Sequence, residues 1–209
     1  MSKQAIQAHA QMIKVPYLLH FTRASNLPAI MQHGLYPMSR VAEIEITPEI
    51  NDELRLDGHL DGVSLSIAFP NYRMFWKCRQ DNEGVEWAVL AVNPSVLWLK
   101  DCAFCRHNAA DARMSCQPLE QLKTTEAFAG LFEEIEGLQT RVEQRLKPFD
   151  PTDGQAEVLV FDVIEPHLIA GAVFENAATR DAYQDVLGNR KILINRVGKG
   201  YFAARSYVR

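Results

Sequence analysis

The stretch that decides the fold is LLHFTRASNLPAIMQHGL, residues 18–35, in which a short apolar run leads directly into a helical pattern. The run from 17 to 21, YLLHF, has the composition of a strand. Apolar side chains then recur on one helical face, at Leu27, Ile30 and Met31. Gly34 suits the end of that helix, because glycine accepts left-handed backbone conformations. The stretch therefore predicts a strand followed at once by a helix.

Polar residues gather where this strand meets this helix. His20 ends the apolar run, Thr22 shares its face of the strand, and Asn26 opens the helix, where either it or Ser25 can act as the cap. Because helix N-termini favour anions, the junction is a candidate ligand site. The alternative interpretation is a histidine that is satisfied within the fold and has no functional role.

The remaining patterns alternate unevenly between strands and helices. Further strands are expected at 62–69, 86–93, 156–164, 169–176, 191–197 and 201–208, and helices at 70–79, 118–147 and 179–187. Residues 38–62, rich in charge and in Asp and Gly, are interpreted as a loop or lid. This order predicts an α+β fold with mixed or antiparallel sheets, in a single domain of residues 1–209. No GxGxxG or P-loop pattern is present, which argues against a Rossmann or Walker nucleotide site.

The charge is acidic overall but uneven along the chain. The net charge is −4, yet no acidic residue follows Asp185. The positive residues of that tail are Arg190, Lys191, Arg196, Lys199, Arg205 and Arg209, and a second basic cluster is Arg73, Lys77 and Arg79. A local basic surface is compatible with a polyanionic partner, although solvated strand ends are the simpler interpretation.

The sequence shows neither a signal peptide nor an apolar run approaching the roughly 20 residues of a membrane span. We therefore expect a cytoplasmic protein with no membrane partner.

The 4 cysteines of the chain are expected to be reduced thiols. Cys102, Cys105, His107 and Cys116 loosely imitate a zinc site, but the second ligand pair lacks a standard spacing, so no metal is predicted. Residues 106–110, RHNAA, are interpreted as an exposed loop.

The stretch GQAEVLVF, residues 154–161, begins a strand with two polar side chains on one face. Gln155 and Glu157 lie two apart and so share a face, while Ala156 and Val158 point into the core. A carboxylate at the start of a strand, after a flexible loop, can meet a substrate. The alternative is a surface strand end whose polar residues are simply solvated.

An aromatic cluster follows the strand predicted at 62–69. Its members are Phe69, Tyr72, Met74, Phe75 and Trp76. Such a cluster usually belongs to the core, but it can also form the floor of a pocket for a flat ring.

Taken together, these stretches resemble the DarT family of DNA ADP-ribosyltransferases, toxins that transfer ADP-ribose from NAD to a base in single-stranded DNA. The resemblance rests on residues 18–35, on RLDGHLDGVSLSIAFPNYRMF (55–75), on FCRHNAA (104–110) and on GQAEVLVF, in the family's order. It implies the ADP-ribosyltransferase fold, a split β-sandwich with NAD in the cleft, and no metal. It also implies that Glu157 is the catalytic glutamate and that residues 147–154, KPFDPTDG, form the substrate-recognition loop.

The resemblance assigns further residues by position. The NAD contacts it implies are His20, Phe21, Thr22, Asn26, Tyr72 and Met74. Arg55 is the choice for an arginine that contacts the pyrophosphate or positions the base, since a guanidinium binds phosphate in a bidentate way. The implied DNA contacts are Arg73, Arg106, His107, Asn108 and Gln155.

The same resemblance implies a toxin–antitoxin pair, with phage defence as its setting. The antitoxin would be an ADP-ribose-removing partner, either a macrodomain or a NADAR-type hydrolase. SIAFPNYRMF and RHNAA look more similar to the guanine-modifying branch than to the thymine-modifying one. Four alternatives stay open: an RNA acceptor, a protein acceptor, a non-catalytic module that binds NAD or nucleic acid, and an interaction protein with no NAD affinity.

Overall fold

The computed structural model describes residues 3–44, 49, 58–195 and 198–209. Arg55 lies outside these residues, as do 45–48 and 50–57 of the loop expected at 38–62. Within the described chain, seven strands form one sheet in the order β4-β5-β2-β1-β3-β6-β7. Their bounds are β1 Leu18–Arg23, β2 Val63–Ile67, β3 Trp87–Val92, β4 Cys102–Cys105, β5 Glu157–Val160, β6 Ile169–Phe174 and β7 Lys191–Ile194. The β6–β7 pair is parallel and the other pairs are antiparallel, so the predicted α+β fold with a mixed sheet is confirmed.

The sheet splits between β1 and β2. Strand β1 pairs with β3 along its whole length, from Leu18 to Arg23. Its register with β2 covers Leu18↔Ile67 and Leu19↔Ser66 and goes no further in the described chain. His20 is therefore the first β1 residue beyond the paired segment. We name the end of this ladder, where the two halves of the sheet part, the cleft.

Helices and turns cover both faces of the sheet. The helices are α1 Lys3–Met12, α2 Leu27–His33, α3 Tyr72–Asp81, α4 Val96–Leu99, α5 Ala112–Ser115, α6 Leu119–Leu122, α7 Thr125–Gly130 and α8 Ala177–Leu187. Helix α2 ends at Gly34, whose φ of 101° favours glycine, as the sequence predicted. A Cβ there would also lie 2.4 Å from the Ile164 carbonyl oxygen, so the close approach of these two backbones requires glycine.

The two faces of the sheet pack differently. One face carries a single large core, to which the central strands contribute Leu18, Leu65, Leu90 and Val158. The other face carries two separate small cores. One contains Leu19, Phe75, Val89 and Phe202, and the other contains Ala103, Cys105, Met114 and Leu159. By strand alternation, Ser64 and Ser66 of β2 point toward this second face, between the two small cores.

Two predicted elements differ from the structure, and two observed elements had no prediction. Residues 118–147 form only α6, α7 and turns rather than one long helix, and residues 201–208 form 3-10 turns rather than a strand. Gly130 ends α7, and Gly137 adopts a φ of 85°, so the apolar stripe of this segment cannot continue as a helix. Helix α1 and strand β4 were not predicted.

Candidate active site

Glu157 opens β5 in the space between the two small cores. Its partner across the ladder is Cys105, and its side chain is only 6% exposed. Its Oε2 accepts a hydrogen bond from the Ala109 backbone N–H at 2.9 Å, and its Oε1 accepts one from Asn108 Nδ2 at 3.3 Å. A buried carboxylate needs such donors, because burial without them is costly. The bonds hold the carboxylate in one orientation.

Ser66 connects Glu157 to the split in the sheet. Strands β2 and β5 pair through Leu65↔Val158, which brings Ser66 level with Glu157. Ser66 in turn pairs with Leu19 of β1, the last residue before the cleft. We name Ser64, Ser66 and Glu157 the polar gap, since they interrupt the apolar packing of this face.

The loop of residues 106–110 packs against this polar gap, so its prediction as an exposed loop was wrong. His107 is 8% exposed and donates from Nδ1 to Asp153 Oδ2 at 2.7 Å. Asn108 is half-buried beside Glu157. Both residues were predicted to contact DNA, and the structure places Asn108 against the Glu157 carboxylate and His107 against Asp153.

The cysteines do not form a joint metal site. Cys102 belongs to the large core and Cys105 to a small core on the opposite face, because residues three apart in a strand point in opposite directions. No cluster of three or more possible metal ligands occurs within the described ranges. Burial raises the pKa of the Cys102 thiol to about 12.

His20 bridges the two halves of the split sheet. Its Nδ1 lies 3.0 Å from the Ser64 carbonyl oxygen. Since a carbonyl can only accept, Nδ1 must carry the proton. The ring is therefore fixed at the point where the cleft opens.

Thr22 and Asn26 form a buried pair next to that point. Asn26 Nδ2 donates to Thr22 Oγ1 at 3.1 Å and to the Glu49 carbonyl at 2.8 Å, and Asn26 Oδ1 accepts from the Glu49 N–H at 3.0 Å. This side chain makes no helix-capping bond, although it occupies the N-cap position of α2. It instead anchors the backbone at residue 49 against the end of β1.

The start of α3 contacts the recognition loop, the name used below for residues 147–154. A Cβ on Gly154 would lie 3.1 Å from Tyr72 Cε1, so the loop packs closely on this ring. The helix is capped by Asn71, whose Oδ1 accepts from the Met74 N–H at 3.3 Å and whose own N–H donates to Ser66 Oγ at 3.0 Å. Tyr72 and Met74 therefore sit on a turn that is tied to the polar gap.

The other predicted contacts are more dispersed. Phe21 stacks on Phe75 with ring centroids 4.7 Å apart, so it contributes to a small core. Arg106 donates from Nη2 to the Glu134 carbonyl at 2.6 Å. Arg73 is exposed, and its guanidinium carbon lies 6.0 Å from the centroid of the Tyr72 ring. Gln155 is half-buried, and its N–H donates to Asp153 Oδ1 at 2.9 Å.

The recognition loop is held by arginines that sequence analysis had grouped into a basic surface. Arg205 is 6% exposed and donates to the Pro151 carbonyl at 2.7 Å and to the Thr152 carbonyl at 3.1 Å. Burial lowers the pKa of its guanidinium. Arg209 pairs with the buried Asp150 at 2.6 Å. At least two basic residues of the tail therefore fix the loop that leads to Glu157.

Sequence analysis also missed Ser64, Ser66, Asn71 and Asp153. A signal was present for the serines, because the alternation in VSLSI puts both on the face opposite the large core. Asp153 could not have been found in this way, since its partner His107 lies 46 residues away.

The seven-stranded, mostly antiparallel sheet with its flanking helices matches the ADP-ribosyltransferase fold of solved DarT structures. Residues 19–202 match the family model described as "DarT: ssDNA thymidine ADP-ribosyltransferase, DarT". The chain belongs to the DarT family of single-stranded DNA ADP-ribosyltransferases.

Solved structures support the same fold. DarT of Thermus sp. 2.9 in complex with carba-NAD+ aligns with a TM-score of 0.59 at 13% identity, over 87% of this chain and 96% of that one. The same protein with ADP-ribosylated ssDNA gives 0.55 at 15% identity, over 88% and 95%. Thermosipho africanus DarTG in complex with ADP-ribose gives 0.53 at 15% identity, and the alignment covers 86% of this chain but only 49% of that one. Comparison with curated proteins gives no match.

Among the residues that the structure describes, no helix is both long and apolar enough to cross a bilayer.

Proposed function

We propose that this protein transfers ADP-ribose from NAD to a base in single-stranded DNA and releases nicotinamide, as the toxin of a toxin–antitoxin system. The observation that carries the proposal is the Glu157 carboxylate, buried in the polar gap and oriented by Ala109 and Asn108. The structures of Thermus sp. 2.9 DarT in complex with NAD+ and with ADP-ribosylated ssDNA support the choice of both substrates.

The chemistry follows from the charge of that carboxylate. Breaking the bond between nicotinamide and ribose builds positive charge on the ribose. Glu157 stabilises this charge and accepts a hydrogen bond from the ribose 2′-hydroxyl. The same carboxylate then takes the proton from the attacking base nitrogen. One residue can do both, so no covalent enzyme intermediate is required.

The remaining roles are assigned around Glu157. His20, Phe21, Thr22, Asn26, Tyr72 and Met74 bind NAD, and Arg73, Arg106, His107, Asn108 and Gln155 contact DNA. The fixed ring of His20 at the cleft and the bonded pair of Thr22 and Asn26 suit the first of these roles, because a preorganised site binds without an ordering cost. Arg55, outside the described residues, is assigned to the NAD pyrophosphate or to positioning of the base.

We assign guanine as the modified base, on the likeness of SIAFPNYRMF and RHNAA to the guanine-modifying branch. The family model is named for thymidine, so thymine is the competing assignment.

We further propose one domain over residues 1–209, a cytoplasmic location where NAD and DNA are both present, and a role in phage defence. The cognate antitoxin is an ADP-ribose-removing NADAR-type or macrodomain hydrolase.

Four single-stranded oligonucleotides, each lacking one base type, test the proposal. Each is incubated with NAD and the protein, and the products are weighed. We expect the mass of one ADP-ribose to be added to three oligonucleotides and to be missing only from the one without guanine. Glu157→Ala should abolish the addition, whereas Met12→Ala, an exposed position on α1, should leave it unchanged.

The other outcomes discriminate the alternatives. Addition that is missing only from the oligonucleotide without thymine would overturn the guanine assignment but keep the transferase. Release of nicotinamide without modified DNA would indicate an RNA or protein acceptor. No turnover of NAD would leave a binding module as the better hypothesis.

A further inference from the structure

A groove runs along α3 outside the polar gap. It encloses a cavity of about 460 Å³ between α3 and residues 201–204. Its walls combine aromatic rings with positive charges, namely Tyr72, Trp76, Tyr201, Arg73 and Lys77 among others. We name it the α3 groove.

The most unusual wall residue is Trp76, which is 61% exposed. The other tryptophan next to this helix, Trp87, is 5% exposed and packs with Phe75 in a small core. A large exposed ring beside a concave apolar surface is typical of a binding site. Tyr72 lies one helical turn before Trp76, so both rings border the same stripe of α3.

The cations of the groove fall into two groups. Arg79 is committed to the fold, because it donates to Glu175 at 2.6 Å and to the Phe202 carbonyl at 3.0 Å. Arg73 and Lys77 are exposed, and Lys77 forms a surface bridge to Asp81 one turn later on α3. Exposed bridges of this kind contribute little, so an incoming phosphate can compete for the lysine.

The groove lies beside the candidate active site and shares Tyr72 with it. Tyr72 borders the groove and also packs on Gly154 at the end of the recognition loop. Glu157 follows three positions later in the chain. A strand whose target base lies at Glu157 can therefore extend past Tyr72 into the groove.

We propose that the α3 groove binds the part of the DNA strand that flanks the target base, with a base stacked on Trp76 and phosphates contacting Arg73 and Lys77. The inference rests on the proposed function and adds a second subsite to it. Successive bases stacked on aromatic rings beside a positively charged track are the general means of holding single strands. An apolar floor with cations at the rim matches a nucleotide, which has a flat ring and a phosphate.

The test compares two oligonucleotides that share one central target base. The short one has one nucleotide on each side, and the long one has ten. We expect wild-type protein to have a lower KM for the long strand. Trp76→Ala should raise that KM about tenfold, as expected for the loss of one base stack, and should leave the KM for the short strand unchanged. For the long strand, the logarithm of the binding constant falls linearly with the logarithm of the salt concentration. Lys77→Ala should make this slope about 0.7 less steep, the value for one phosphate contact to a single strand.

Three controls separate this subsite from other effects. Trp76→Phe keeps a stacking ring and should restore most of the affinity for the long strand. Met12→Ala and Lys191→Ala remove an exposed apolar and an exposed basic side chain elsewhere and should behave as wild type. Release of nicotinamide in the absence of DNA should be equal in all variants, which shows that the NAD site is intact.

The result that would overturn the inference is an equal long-strand KM for wild type and Trp76→Ala while wild type modifies DNA. If wild type modifies neither strand, the proposed function is wrong, and the inference about the α3 groove is wrong with it. Quenching of tryptophan fluorescence by an oligonucleotide without the target base gives a direct readout. We expect the quenching in wild type and its loss in Trp76→Phe.

Discussion

At the scale of single residues, the site depends on how Glu157 is held. The carboxylate is buried, and it accepts hydrogen bonds from Asn108 and Ala109, which belong to one loop. The backbone donor cannot be removed by substitution, but the Asn108 amide can. This makes position 108 the most informative one for the electrostatics of the carboxylate.

Asn108→Asp should shift the pH dependence of the reaction. The new carboxylate would lie beside Glu157 Oε1, because this oxygen is 3.3 Å from the Asn108 amide nitrogen. Two neighbouring carboxylates raise the pKa at which the second proton is lost. Because the proposed mechanism needs ionised Glu157, the acid limb of the kcat profile should move to higher pH. Activity at a pH on that limb should fall about tenfold for each pKa unit of the shift.

Asn108→Ala is the matched control for that substitution. It removes the amide without adding charge, so kcat should fall while the acid limb shifts far less than in Asn108→Asp. A profile of Asn108→Asp that coincides with wild type would mean that the two side chains do not interact during the reaction.

At the scale of elements, sequence patterns found most of the sheet and much of the site. Strands β1, β2, β3, β5, β6 and β7 and helices α2, α3 and α8 were predicted, because their apolar periodicity and end signals agree. The strand–helix junction after His20 was also predicted, and the strand expected from residue 156 begins at Glu157.

Elements that depend on distant contacts were not predictable. Strand β4, CAFC, is four residues long and shows no alternation, because the large core covers one of its faces and a small core the other. The turns at 201–208 follow from the burial of Arg205 against carbonyls more than 50 residues away. Such a contact leaves no local pattern in the sequence.

Cysteine labelling tests the burial of β4. Cys116 is exposed, whereas Cys102 and Cys105 are buried and the pKa of Cys102 is raised to about 12. Since the thiolate is the reactive form, iodoacetamide at pH 8 should modify Cys116 rapidly and Cys102 and Cys105 only after unfolding. Mass spectrometry of the peptides reads this out. Equal labelling of Cys102 and Cys116 in the native protein would contradict the placement of β4.

At the scale of the whole molecule, the C-terminal turns hold the recognition loop in place. Arg205 and Arg209 reach back to residues 150–152, and Arg141 donates to the Asp150 carbonyl and to Thr152 Oγ1, each at 2.8 Å. The loop before Glu157 is thus fixed from two directions. A segment before β5 and the end of the chain therefore hold the same loop.

Arg209→Ala should destabilise the protein through this contact. Asp150 is 0% exposed, so removal of its partner leaves a buried carboxylate without its counter-charge. Such a loss costs about 3 kcal/mol of unfolding free energy. Urea denaturation measures it. Adding Asp150→Asn should recover part of the loss, because the amide removes the charge and its oxygen can still accept from the Lys147 N–H. An Arg209→Ala protein as stable as wild type would show that the Arg209–Asp150 ion pair does not stabilise the fold.

The central claim is that the Glu157 carboxylate drives transfer of ADP-ribose to DNA. The most direct measurement is a single turnover of wild type and Glu157→Gln with NAD and a mixed-sequence single strand, with nicotinamide and ADP-ribosylated DNA quantified together. We predict equimolar products from wild type and a rate at least about 100-fold lower for Glu157→Gln, with NAD still bound. Modified DNA formed by Glu157→Gln at the wild-type rate would contradict the account.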